Sequence, residues 1–354
     1  MNSKYKVLQI GGSDKESKHS YFDLCPESPD GTKVIYFQYD NGAPGEGRIV
    51  ICSADGKKPV NVPFTCYGNS HNVAAQQWIN NDKVVFQFLE DNETYCGVYS
   101  ISEGAFRKVS GGIRMFSDIT GLGLFVAIES GDDMRGQAEQ IVCSLDLNKN
   151  RIRKLFTLKD AAAIHPLRDK LSSLEGAYFK HTKWSPEGGK FITVFQYKPD
   201  ALVKSIFVAN ADGSDLRYLC EFGHHPMWSR DSSYIYALRK LPEEGYNELL
   251  SYPIDGSEPY ILLERVLGVH SSISPDNRYL VVDVFGWEKD GQGAILLYDL
   301  SVKDYEVLAT FPLPDTTHST GTHPHPVWSR NGKRVYFNAV HEEQARLFAV
   351  DLFA

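Results

Sequence analysis

The sequence has little of what would place it in several common protein classes. Its 354 residues include six cysteines, far apart and with no Cys-x-x-Cys pair. Neither a disulfide framework nor a cysteine zinc site is written into the chain, and buried free thiols are expected. No run of 18 apolar residues exists, so no helical membrane span is expected. The first residues, MNSKYKVLQIGGSDKES, lack the apolar stretch of a secretory signal, which makes a cytoplasmic protein the expectation. A basic block is missing too: 37 Lys and Arg stand against 45 Asp and Glu, for a net charge of −8. That balance argues against nucleic acid and against an anionic membrane surface as partners. It leaves room for an acidic ligand held by a few local cations. The sequence assigns no oligomeric state.

Helical periodicity is scarce as well. Only residues 159–176, KDAAAIHPLRDKLSSLEG, read as helix, and Pro166 limits any regular run there to a short helix after it. This segment reads as an insertion in an otherwise all-β chain.

What the sequence does have is a repeat. A Ser-Pro-Asp-Gly-like turn is followed by an apolar strand, a polar gap, a second strand, an Asp-Gly-like turn and a third strand. Clear copies start at Ser28 (SPDGTKVIYFQYD), Trp184 (WSPEGGKFITVFQY), Trp228 (WSRDSSYIYALRK), Ile273 (ISPDNRYLVVDVF) and Trp328 (WSRNGKRVYFNAV). Weaker copies start at Trp78 and Phe116, making seven. Alternating strands joined by such turns mark antiparallel hairpins. A period of roughly 40 to 55 residues fits four-stranded propeller blades. The expectation is a single all-β domain over residues 1–354, a seven-bladed β-propeller of four-stranded antiparallel blades. The strand Tyr5–Ile10, which has no blade of its own, is expected to pair into the last blade and close the ring.

The register of the repeat organises the histidines. Three residues before the Trp-Ser or Ile-Ser pair stand His181, His225, His270 and His325, in four consecutive blades. Equivalent positions in a propeller point toward a common axis, so these rings are expected to converge at one mouth. The plainer reading is that each histidine ties loop to strand, but no matching Asp or Ser recurs in all four blades. In THPHPVWS, His323 and His325 each precede a proline, and a residue before proline is pushed to extended geometry. Residues i and i+2 of an extended chain share a side. With His270, these two make a three-nitrogen face suited to Mn, Fe, Ni, Cu or Zn. The bland alternative is that Pro326 merely starts a strand edge, with the histidines capping it.

These motifs are where the chain resembles a known family. THPHPVWS, with KHSYFDLCPESPDG, GHHPMW and VLGVHSSISPD, is similar to the oligogalacturonate lyases, seven-bladed propellers that degrade short oligogalacturonides. The resemblance runs over nearly the whole repeat array. It implies a divalent metal, Mn2+, held by His270, His323 and His325. Where the family carries a glutamine, this chain has Thr320, so the fourth ligand falls to its hydroxyl, to water or to His318. The resemblance also implies that His225 is the catalytic base, with His181 orienting substrate or acting as a second acid or base. His224 is expected to be structural, His19 to line the same mouth, and His71 to stand in poor register.

The implied reaction suits these groups. β-Elimination removes the C5 proton of a uronate, next to a carboxylate that resists further negative charge. A divalent cation on that carboxylate stabilises the developing charge, and a neutral imidazole takes the proton near neutral pH. The expected partner is therefore a uronic-acid oligosaccharide. Two other classes stay open: a TolB-like non-catalytic binding propeller, and a propeller glycoside hydrolase.

Overall fold

The structure, a computed structural model, describes all residues except 13, 130–138, 172–173, 198–202, 222–223, 244, 290, 315–320 and 353–354. Seven antiparallel sheets follow one another along the chain as the blades of a β-propeller. Their first strands are Ser17–Lys18, Gln77–Trp78, Met115–Ser117, Tyr178–Trp184, His224–Trp228, Ser271–Ile273 and Val327–Trp328. Six blades have four strands. In the first, Cys66–Gly68 adds a fifth by pairing with Gly45–Ser53. The seventh blade is completed from the other end of the chain: Val7–Gln9 pairs antiparallel with Gln344–Asp351, in the register Val7↔Val350 and Gln9↔Phe348.

The second strands depart from simple alternation. Lys190–Tyr197 is buried at every residue but its first, and Lys33–Tyr39 is buried on both faces. A strand covered on both sides reads as a continuous apolar run, whereas outer strands such as Arg151–Thr157 stay mostly exposed.

The Ser-x-Asp turn that betrayed the repeat is a small hydrogen-bonded device. Ser28 Oγ donates to Asp30 (2.7 Å) and accepts the Lys33 amide (2.9 Å). Ser229 does the same with Asp231 (2.6 Å) and Tyr234 (2.9 Å), and Ser329 with Asn331 (2.9 Å) and Arg334 (3.0 Å). The turn ends in a left-handed residue, Gly31 (φ 72°) or Gly332 (φ 70°), which explains the glycine at this place. The tryptophan before the serine staples its blade to the preceding one. Trp78 Nε1 donates to the Pro26 carbonyl (2.7 Å), Trp228 to Lys183 (3.4 Å) and Trp328 to Ser272 (3.1 Å). All three acceptors lie two residues before the corresponding serine of the neighbouring blade.

The chain divides into two compact units: Met1–Lys108 with Leu241–Glu248 and Leu262–Ala354, and Val109–Lys240 with Leu249–Ile261. In the first, one core packs Phe37, Tyr39, Trp78 and Phe86, and another packs Phe311, Trp328, Phe337 and Phe348. In the second, Phe156, Trp184, Phe191, Phe195 and Phe207 form the core.

The insertion is helical, but on the other side of the proline from the expectation. The α-helix is Leu158–Ala163, before Pro166, and only a 3-10 turn, Arg168–Lys170, follows it. The reason is its start: Thr157 caps the helix and Asp160 reaches back to the Thr157 amide (2.8 Å), a reciprocal capping box. The proline then acts as a terminator. All six cysteines are free thiols, four of them buried. Burial pushes Cys52, Cys66 and Cys96 up to about 12. Among the described residues no helix is long and apolar enough to cross a membrane.

Candidate metal centre

The site begins with a backbone peculiarity. His181, His225 and His325, equivalent in the repeat, all adopt left-handed backbone, with φ of 51°, 47° and 48°. Ala75, three residues before Trp78, does so too, with φ 49°. Such a conformation is uncommon for residues with a side chain. At His181 and His225 it coincides with a break in strand pairing, between Lys180 and Lys183 and between His224 and Met227. Each break is a bulge that turns one ring away from the regular pleat.

This corrects the expectation for THPHP. His325 is not extended, although Pro326 follows it. Tertiary contacts override the proline: its amide donates to Asp283 Oδ2 (3.2 Å), and its ring packs on His270 and Tyr21 (centroids 4.4 and 4.6 Å). His323 and His325 nevertheless converge, with centroids 5.4 Å apart.

Four imidazoles gather in the first unit. His270 is 4.4 Å from His325 and 5.2 Å from His323, and His71 is 4.7 Å from His323 and 4.9 Å from His325, all between ring centroids. The donor atoms of His71, His323 and His325 lie within 4.8 Å of one another. Tyr21 stands edge-on to His71 and His325, Phe22 packs on His270, and Phe285 on His323. Aromatic rings thus flank the cluster, in which His71 is half-buried and His323 and His325 are buried.

Hydrogen bonds from outside the cluster fix it. The fully buried Asp283 accepts from the His270 amide on Oδ1 (2.9 Å), while its Oδ2 meets His270 Nδ1 (2.8 Å) and takes the His325 amide. With Nδ1 held by the carboxylate, His270 has Nε2 to offer a ligand. Asn338, also buried, clips two segments together. Its Oδ1 accepts the His19 amide (3.0 Å), its Nδ2 donates to the His323 carbonyl (3.3 Å), and its amide bonds the Pro324 carbonyl (2.8 Å). Asn69 Oδ1 accepts the amides of His71 (2.9 Å) and Asn72 (2.6 Å), shaping the loop that carries His71.

Burial favours the neutral form of His325 and of His19 beside it. It drives His325 well below the usual imidazole value, and the neighbouring His270, His71, His323 and His19 push the same way. His19 is lowered to about 4, again by burial, against the opposing carbonyls of Pro324 and His325. Neither ring nitrogen of the fully buried His325 has a hydrogen-bond partner among the described residues. A buried polar atom without a partner is costly. The two ring nitrogens of His325, converging with the rings of His71, His270 and His323, belong to a donor set that fits a divalent transition metal.

In the second unit His181 and His225 form a separate pair, 5.4 Å apart and edge-on, both part-exposed. Buried Lys183 donates to the Pro226 carbonyl (2.6 Å) beside them. The structure therefore brings His270, His323 and His325 together, pairs His181 with His225, and sets His19 beside the cluster through Asn338. Thr320, His318 and the side chain of His224 lie outside the described residues. Reasoning from sequence set His71 aside because it stands seven residues before Trp78 rather than three. Asp283 and Asn338 carried no signal: each is a polar residue inside an apolar strand, which in hindsight is the mark to look for.

Fold and site together define a seven-bladed propeller with a buried imidazole centre. No protein-family model matches the sequence, and no curated protein matches it in sequence. Solved structures do match. An oligogalacturonate lyase in complex with manganese aligns with a TM-score of 0.77 and 13% identity, over 99% of this chain and 94% of that one. The oligogalacturonate lyase of Vibrio parahaemolyticus gives 0.75 and 13%, over 98% and 94%. A puromycin-hydrolysing peptidase of Mycobacterium tuberculosis gives 0.61 and 16%, over 98% of this chain but 55% of that one. At these identities the likeness is one of fold.

Proposed function

We propose that this protein is a metal-dependent lyase that cleaves oligogalacturonides, or related uronic-acid oligosaccharides, by β-elimination. The observation that carries this reading is the cluster of converging imidazoles on a propeller like those of two oligogalacturonate lyases. In this reading His270, His323 and His325 hold the ion, with Thr320 as the oxygen donor nearest the motif. Bound there, a divalent cation, Mn2+ by resemblance, neutralises the uronate carboxylate and acidifies the adjacent C5–H.

The chain's own residues supply the rest. Asp283 holds His270 by Nδ1 and so keeps Nε2 directed as a ligand. Tyr21, Phe22 and Phe285 pack against the rings and fix their positions. His225 is the base: a ring nitrogen takes the C5 proton, the C5–H electrons form the C4=C5 double bond, and the C4–O pair leaves with the glycosidic oxygen. A positioned base of this kind contributes about 10²–10⁴-fold. His181, edge-on to His225, orients that ring or the substrate. A cytoplasmic location belongs to the same reading.

The experiment compares His225→Ala and His323→Ala with the parent on oligogalacturonide. His225→Ala should retain the metal and lose elimination about 10²-fold or more, whereas His323→Ala should lose both. An unchanged rate in His225→Ala removes the base assignment. The non-catalytic reading draws on the His270–Asp283 bond, which is what a structural histidine makes. The orphaned nitrogens of His325 speak against it.

A further inference from the structure

The four-imidazole arrangement reaches beyond the three ligands used above. His71 lies on the loop between the first blade's Cys66–Gly68 strand and the second blade's Gln77–Trp78 strand, a loop with its own scaffolding. Asn69 caps it, the Tyr39 hydroxyl donates to the Asn69 carbonyl (2.7 Å), and Ser20 Oγ donates to the Asn72 carbonyl (2.9 Å). Val73 and Ala75 take left-handed backbone just after it, with φ of 56° and 49°. Non-glycine residues persist in that region when surrounding contacts over-determine them. This much construction sets a His71 donor atom within 4.8 Å of those of His323 and His325. The fully buried His325 nitrogens, without hydrogen-bond partners among the described residues, face the same gathering of rings.

We propose that His71 is a metal ligand, and that the centre is a four-imidazole site of His71, His270, His323 and His325 which selects borderline transition ions over Mn2+. The proposal rests on the metal-centre reading above and departs from it in the ion, replacing the Mn2+ of the resemblance with one that prefers nitrogen donors. Its chemistry follows from donor type. Imidazole nitrogens suit Fe, Ni, Cu and Zn, whereas Mn2+ and Mg2+ favour carboxylate, carbonyl and water oxygens. Asp283, a carboxylate in contact with the cluster, is turned to His270 Nδ1 and to two backbone amides and so serves the ligands. Affinity for four nitrogen donors rises from Mn2+ toward Ni2+ and Cu2+.

The test uses full-length metal-stripped protein and the metals alone. Dialysis against equimolar Mn2+, Ni2+ and Zn2+, followed by elemental analysis, should leave Ni2+ or Zn2+ in the protein and little Mn2+. Loaded with one Cu2+ per chain, the parent should show nitrogen hyperfine coupling from four imidazoles by electron paramagnetic resonance, and His71→Ala from three. His71→Ala should also weaken Ni2+ binding about 10-fold or more. His71→Gln, which returns an oxygen donor, should move the preference toward Mn2+. Four-nitrogen coupling and parental Ni2+ affinity in His71→Ala would overturn the role of His71 while leaving the metal centre standing. Failure of the parent to bind any of these ions overturns both.

Discussion

At the scale of single residues, the account turns on side chains that never touch a ligand. Asp283 receives a ring nitrogen and two backbone amides from two histidine segments while fully buried. Asp283→Asn keeps the shape but offers His270 Nδ1 an amide in place of a carboxylate. Such a change at a ligand's outer partner costs about 10- to 100-fold in metal affinity, and calorimetric titration with Ni2+ should read a loss of that size. Unaltered affinity would mean that Asp283 serves packing alone. The motif histidines were legible because they recur in register, whereas Asp283 and Asn338 were not. A buried acid or amide inside an apolar strand declares its role only when its partners, 13 to 319 residues distant in the chain, are in view.

At the scale of elements, the Trp-Ser turn explains why the repeat could be read. Each part of it has a local job: the serine and acid close the turn, the left-handed residue completes it, and the tryptophan bonds the neighbouring blade. Trp328→Phe keeps most of the buried ring but removes the bond to Ser272, which should cost about 1 kcal/mol. A denaturant titration reads this directly, and no change in midpoint would show that the bond is idle. The left-handed histidines were invisible for the opposite reason. Nothing local favours them, and at His225 and His325 the following proline argues for extended chain. The helix before Pro166 was missed because its cap, Thr157, to which Asp160 reaches back, stands two residues upstream of 159–176.

At the scale of the molecule, the N-terminal strand and the buried histidines set the conditions for stability. Val7–Gln9 completes the seventh blade, so removing residues 1–10 should expose the Gln344–Asp351 edge and lower the melting temperature or cause aggregation. His19, His165 and His325 are all lowered by burial from the ordinary imidazole value near 6.5. A lowered histidine binds its proton more readily in the unfolded chain. Stability of the metal-free protein is therefore full above about pH 6.5 and falls as the pH drops from there toward 4. Melting temperatures across that range should decline steadily in acid, and a flat profile would contradict the burial argument.

The central claim is that a metal at the imidazole centre enables elimination on a uronic-acid oligosaccharide. The most direct measurement follows the ultraviolet absorbance of the 4,5-unsaturated uronate with oligogalacturonide as substrate, first after stripping the protein with a chelator and then after adding back one divalent ion at a time. The account predicts no absorbance from the stripped protein and its return with a transition ion. Equal rates with and without metal, or a saturated product with no new absorbance, would contradict it.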